Sequence, residues 1–153
     1  GVTLMDVPVT LRAQLAESGF DWASARRLEA YLEQVSFQEG EHLIQQGEVA
    51  RDLYFVERGV VSVYLELDDG SRVRLRTMGM GTVVGEMALY LGQTRTASVI
   101  AGSSTVAYRL TREAMAEMAA RDPYLIAAFH EYIARLQSER LAANTRSLEA
   151  LLR

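Results

Sequence analysis

The residues best placed to do chemistry lie between Gly79 and Val99, in the run GMGTVVGEMALYLGQTRTASV. Gly79, Gly81 and Gly85 punctuate a short apolar strand, Thr82 to Val84, and allow a corner that a side chain would obstruct. Glu86 then opens the helix-compatible run MALYL, in a first turn whose amide hydrogens have no partner inside the helix. Such a turn attracts an anion. Nine residues after Glu86 stands Arg95, followed by Thr96, Ala97 and Ser98, which are small enough to let a bound group approach the backbone.

Glu86 and Arg95 must be satisfied together. A guanidinium forks readily onto phosphate oxygens, but a carboxylate repels them, so Glu86 would have to face a hydrogen-donating part of the same ligand. A sugar hydroxyl fits, which makes the pattern suit a nucleotide of low negative charge. The competing reading is that Glu86 and Arg95 pair with each other across a surface loop, and the two residues alone leave both open.

Gly85-Glu86-Met87-Ala88-Leu89 followed by Arg95-Thr96-Ala97-Ser98-Val99 resembles the phosphate-binding cassette of the cyclic nucleotide-binding domain family. The resemblance extends upstream through FQEGEHLIQQGEVARDLYFVERGVVSVYL, with Gly40, Gly47 and Gly59 at turn positions, and covers most of Phe37 to Leu110. One departure is Thr94, where the family often has proline, and it bears on loop rigidity more than on ligand binding. The resemblance implies that Arg95 contacts a cyclic phosphate, that Gly85 and Ala88 offer backbone groups, and that Glu86 holds the ribose 2′-hydroxyl. Thr96 would touch phosphate or base. With Met87 and Ala97, these residues form the expected ligand site. The family also implies a terminal helix that closes over the base, with Arg135 and Leu136 as its lid. Between cAMP and cGMP the base stays open, cAMP being taken first as the commoner bacterial signal.

Composition restricts the alternatives. The 153 residues suit one domain, and 49% hydrophobic with 24% charged residues is ordinary for a globular chain. Sixteen basic and 20 acidic side chains give a net charge of -4 with no long basic run, so nucleic acid is not an expected partner. No stretch approaches the ~18 apolar residues of a membrane span, so direct membrane insertion is not expected. Cysteine is absent, which excludes disulfides and thiol chemistry and fits a reducing cytoplasm. The two histidines, His42 and His130, are too few for a multi-histidine metal centre. No metal, cofactor or catalytic residue is expected, because no nucleophile-base pair can be assembled. Gly1 in place of methionine suggests that a longer protein was trimmed or that a tag was cleaved.

The elements that must position these residues follow from periodicity. Val9 to Glu17 and Ser24 to Gln34 read as helices, the second with Leu28, Leu32 and Val35 on one stripe. From Val35 to Leu110 the period is two. Leu53 and Phe55, with Glu57, face one way and Tyr54 and Val56 the other, while Asp68-Asp69-Gly70 turns a hairpin between Val60–Leu67 and Ser71–Met78. Arg72, Arg74 and Arg76 read as a solvated face, with Arg74 as a lesser candidate for the phosphate. Thr96–Ala101 and Ser104–Leu110 supply two more strands. Thr111 opens a helix ending near Arg121, and Asp122-Pro123 starts a longer one by capping and a proline at the first position. Its stripe through Ile126, Phe129, Ile133, Leu136, Leu141, Leu148 and Leu152 would pack on the body or on a second copy, as a homodimer.

The expected fold is α+β, an antiparallel β-roll or jelly roll flanked by N-terminal and C-terminal helices. It divides as one domain over 1–153, with helices in 1–34, the roll in 35–110 carrying the cassette at 85–97, and helices in 111–153. The expected function is a cytoplasmic, non-enzymatic regulatory module that senses cAMP or cGMP. It would relay occupancy to a covalently attached effector outside this sequence, with a transporter or channel preferred. The alternative is a binding-silent jelly-roll scaffold or dimerisation domain.

Overall fold

The computed structural model describes residues 8–153, so residues 1–7 of the expected helical segment lie outside the described residues. Helices α1 (Val9–Glu17) and α2 (Trp22–Glu29) precede eight strands. These are β1 (Glu33–Phe37), β2 (His42–Ile44), β3 (Asp52–Arg58), β4 (Val61–Glu66), β5 (Arg72–Met78), β6 (Val83–Val84), β7 (Ser98–Ala101) and β8 (Thr105–Thr111). Helix α3 (Glu86–Leu91) interrupts them after β6, and α4 (Arg112–Arg121) and α5 (Pro123–Leu152) close the chain. The strands form two antiparallel four-stranded sheets, ordered β1-β8-β3-β6 and β2-β7-β4-β5, which is the jelly-roll arrangement expected of the sequence.

Strand β3 explains how one roll serves two cores. Its side chains alternate: Leu53 and Phe55 join Leu11, Leu15, Leu28, Leu110, Met118 and Phe129 beneath the helices. Tyr54 and Val56 join Val61, Val63, Val84, Val99 and Ala107 between the sheets. Burial on both faces is why the strand reads as a nearly unbroken apolar run. Glu57 points to the helical side and is almost wholly buried; its carboxylate accepts the Thr10 amide at 2.7 Å and the Leu11 amide at 2.9 Å. Pro8 at the start of α1 provides no side-chain cap, so a strand residue supplies the anion that the helix terminus needs.

Both ends of α2 differ from the expected Ser24 to Gln34: the helix starts at Trp22, capped by the Asp21 side chain. Helix α2 stops at Glu29, and Leu32 and Val35 do not continue its stripe, because the chain turns into β1, where Val35 pairs with Ala107 of β8. The C-terminal helices begin as read: the Thr111 side chain accepts the Ala114 amide, and the Asp122 side chain accepts the Leu125 amide ahead of Pro123.

Candidate functional site

The cassette is built from a strand, a glycine corner and a short helix. β6 is anchored on β3 by the pairs Tyr54 with Val84 and Phe55 with Val83. The chain then reverses at Gly85, whose φ is +86°. A Cβ there would lie 2.7 Å from the Ile44 Cδ1 and 2.8 Å from the Arg95 Nη1, so both conformation and space require glycine. α3 follows with no side-chain cap, leaving first-turn amides without a helical partner.

Arg95 is inside the roll, 6% exposed. Its Nη1 donates to the Gly85 carbonyl at 2.6 Å, and its Nη2 donates to the Asp52 carbonyl at 2.5 Å and the Asp52 Oδ1 at 2.9 Å. These contacts fix the plane of the guanidinium and leave Nε–H and one Nη1–H without a partner among the described residues. The loop around Thr94, which lacks proline, is held by backbone bonds instead. The Arg95 amide donates to the Glu48 carbonyl at 2.8 Å, the Gly47 amide donates to the Arg95 carbonyl at 2.9 Å, and Val49 bridges to Thr94.

Glu86 is 3% exposed and does not pair with Arg95. Its Oε1 accepts from Arg140 Nη1 at 3.3 Å, and Arg140 Nη2 donates to the Val83 carbonyl at 3.3 Å. The surface-loop pair between Glu86 and Arg95 is therefore not formed: each has found a different partner, Asp52 for the arginine and Arg140 for the acid.

Between them lies a cavity of about 130 Å³. Gly85, Glu86, Met87, Ala88, Arg95, Thr96 and Ala97 all line it, so the structure brings together every ligand residue expected from the sequence. Apolar walls come from both sheets, through Ile44, Val63, Val83, Val84 and Val99. Arg135 and Leu136 do not reach this cavity. Arg135 donates to the Ser18 carbonyl at 3.4 Å, and Leu136 packs on the helical core. Arg140, just over one turn further along α5, is the helix residue that lines it. Of the β5 arginines, Arg72 and Arg74 lie over the Tyr64 ring. Arg76 lines the cavity with no hydrogen-bond or ion-pair partner among the described residues. It pairs with Val63, and a register slip between Val63 and Tyr64 makes Leu75 an extra residue on β5.

Asp52, Arg76 and Arg140 were not legible as site residues. Asp52 opens a strand, Arg76 shares its spacing with two surface arginines, and Arg140 meets a partner 54 positions away. A second link joins the cassette to α5: the Tyr90 hydroxyl and His130 Nδ1 share a hydrogen bond of 2.7 Å. Burial raises the Tyr90 pKa above its ordinary value, with the Glu86 charge adding to the effect, and burial lowers that of His130.

A family model described as the cyclic nucleotide-binding domain matches residues 34–122. The type II regulatory subunit of cAMP-dependent protein kinase from Drosophila melanogaster is 41% identical over 71 residues, 46% of this chain and 19% of that protein. Glutaminase 2 of Bradyrhizobium diazoefficiens is 31% identical over 112 residues, 73% of this chain and 17% of that protein. The chain thus spans less than a fifth of the length of either relative. Among solved structures, a cyclic nucleotide-binding domain from Methylobacillus flagellatus superposes with a TM-score of 0.78 at 22% identity. That match covers 86% of this chain and 74% of the other, a likeness of fold.

Proposed function

Because the chain belongs to the cyclic nucleotide-binding domain family, we propose that its cavity takes a cyclic nucleoside monophosphate and that occupancy passes through α5 to an attached effector. The observation that carries this reading is the fixed guanidinium of Arg95. Two N–H groups stay available for a phosphate, while buried Glu86 stands beside it as an acceptor for a sugar hydroxyl. Separate partners for the two residues keep the anionic and hydroxyl ends of the ligand apart. The mutual pairing that the scaffold alternative assumed is replaced by separate partners for the two residues.

Arg76 bears on the base. A guanidinium only donates, and guanine offers two acceptors on one edge, O6 and N7, where adenine pairs N7 with an amino donor. Its free donors at the cavity favour cGMP over cAMP, the reverse of the order taken from the sequence. The effector is an attached domain in the same cytoplasmic protein. The likeness to glutaminase 2 adds an enzyme to the transporter and channel as its candidate class. A second copy would meet this one along exposed Leu141, Leu148 and Leu152.

A thermal-shift series with cAMP, cGMP and the linear 5′-monophosphates tests this. Ligand at 100 times its dissociation constant adds about 2.7 kcal/mol, a rise of roughly 5 to 11 °C for a domain of this size. The cyclic nucleotides are expected to raise the midpoint more than the linear ones, with cGMP ahead. No shift with either cyclic nucleotide would favour the scaffold.

A further inference from the structure

We infer that the free edge of β5 is a docking site for a partner protein, which adds an extended segment of alternating acidic and apolar residues to the sheet. The inference does not depend on what fills the cavity.

β5 ends the sheet order β2-β7-β4-β5, and its residues from Arg72 to Thr77 are all exposed. The Leu67 amide donates to the Ser71 carbonyl at 2.8 Å. The alternation of an antiparallel ladder then turns the amide and carbonyl of Arg72, and those of Arg74 two residues on, to the open side. Across the ladder the same alternation turns the Glu66 backbone away from β5. There the Gln46 side chain meets it as a strand would, accepting the Glu66 amide at 2.8 Å and donating to its carbonyl at 3.1 Å. The backbones of Arg72 and Arg74 have no such partner among the described residues.

The side chains select the occupant. Arg72 and Arg74 share one face, with their guanidiniums 4.5 and 5.7 Å from the centre of the Tyr64 ring. Neither has an ion-pair partner among the described residues, although Glu66 stands across the ladder from Arg72. Asp69, in the turn, is taken by the Ser71 amide and hydroxyl. On the opposite face Val73 is 47% exposed beside its cross-strand partner Leu65, 37% exposed. An incoming strand that bonds to Arg72 and Arg74 stands its side chains on these same two faces, carboxylates over the arginines and apolar groups beside Val73. A second copy is the wrong occupant, because β5 against β5 sets arginine against arginine. The chain carries a net charge of -4, yet β5 has three basic residues and no acidic one, so an acidic segment is drawn to this edge.

The probe is a fluorescein-labelled hexapeptide alternating glutamate and valine, titrated by fluorescence polarisation against wild type and the double variant Arg72→Glu/Arg74→Glu. Two further peptides are compared, one with lysine in place of glutamate and one N-methylated at its glutamates. Exposed ion pairs set the scale, so wild type should bind the glutamate peptide roughly two- to thirtyfold more tightly than the double variant does. The double variant should prefer the lysine peptide, which also shows that its edge is still folded. Methylation removes the amides that pair with β5 and should abolish binding. Equal binding of the glutamate and lysine peptides by wild type, or binding that survives methylation, would overturn strand addition. Absence of glutamate-peptide binding at millimolar concentration would overturn it too, and sedimentation with phosphatidylglycerol vesicles in that case would identify the edge as a lipid-facing patch.

Discussion

Of the arginines that line the cavity, Arg95 and Arg140 are held very differently. Arg95 belongs to the roll: it is nearly buried, its bonds are 2.5 to 2.9 Å long, and its partners are the Asp52 side chain and two carbonyls from paired strands or their ends. Arg140 comes from the last attached turn of a helix, makes two contacts of 3.3 Å, and is followed only by exposed residues. The first geometry fixes donors in advance for an anion, so that binding need not order them. The second is the looser hold. A sensor needs both, a site that stays and an element that moves, since a ligand shifts an equilibrium only by contacting its two states unequally.

Removing the fixed side of this pair should have the largest effect. On the proposed function, Arg95→Ala would lose a charge-assisted phosphate contact worth on the order of 1.5 to 3 kcal/mol, so nucleotide affinity should fall roughly tenfold to a hundredfold or more in calorimetry. It also leaves Asp52 and the Gly85 carbonyl without their donor, and the denaturation midpoint should fall as well. Unchanged affinity would remove Arg95 from the site. Gly85→Ala comes next: a positive φ and contacts under 3 Å to Ile44 and Arg95 should destabilise the fold by about 1 to 3 kcal/mol in urea titration. A stability loss well below that range would mean that the corner relaxes and that Arg95 is not rigidly seated.

The looser side was the part the sequence did not disclose. Much of the roll was legible because alternation, the Asp69-Gly70 turn and the caps at Thr111 and Asp122 are local signals, and the structure follows them. The cassette was legible because its residues are contiguous or nine apart. Leu28, Leu32 and Val35 misled because so short an apolar series cannot separate one helix from a helix followed by a strand, and the chain changes element after Glu29. Arg140 carries no local signature at all. It follows a stripe of core residues on a long helix, and only the path of α5 over the cassette brings it to Glu86. Asp52 and Arg76 likewise acquire their roles from strand pairing, in the second case from a slipped register.

Smaller effects sharpen the same contrast. Arg76→Ala should narrow the preference for cGMP over cAMP by several-fold while leaving the stability of the roll near wild type, because Arg76 has no partner to abandon among the described residues. A preference unaltered in competitive titration would return Arg76 to the solvated face.

The smallest effect concerns pH and the second link to α5. Burial depresses the His130 pKa below its ordinary 6.5, so the folded state favours the neutral ring. The associated stability is present above pH 6.5 and is lost as pH falls from there toward the folded value. The thermal midpoint of wild type should therefore fall more between pH 7.5 and 6 than that of His130→Phe. Parallel slopes would show that this contact does not sense protons.

The central claim is that a pre-fixed Arg95 and a buried Glu86 together receive a cyclic nucleotide. Calorimetric titration of the wild-type domain with cGMP and cAMP tests it most directly. Saturable binding at one nucleotide per chain, lost or much weakened in Arg95→Ala, is the predicted result. No saturable heat with either nucleotide at millimolar concentration would contradict it.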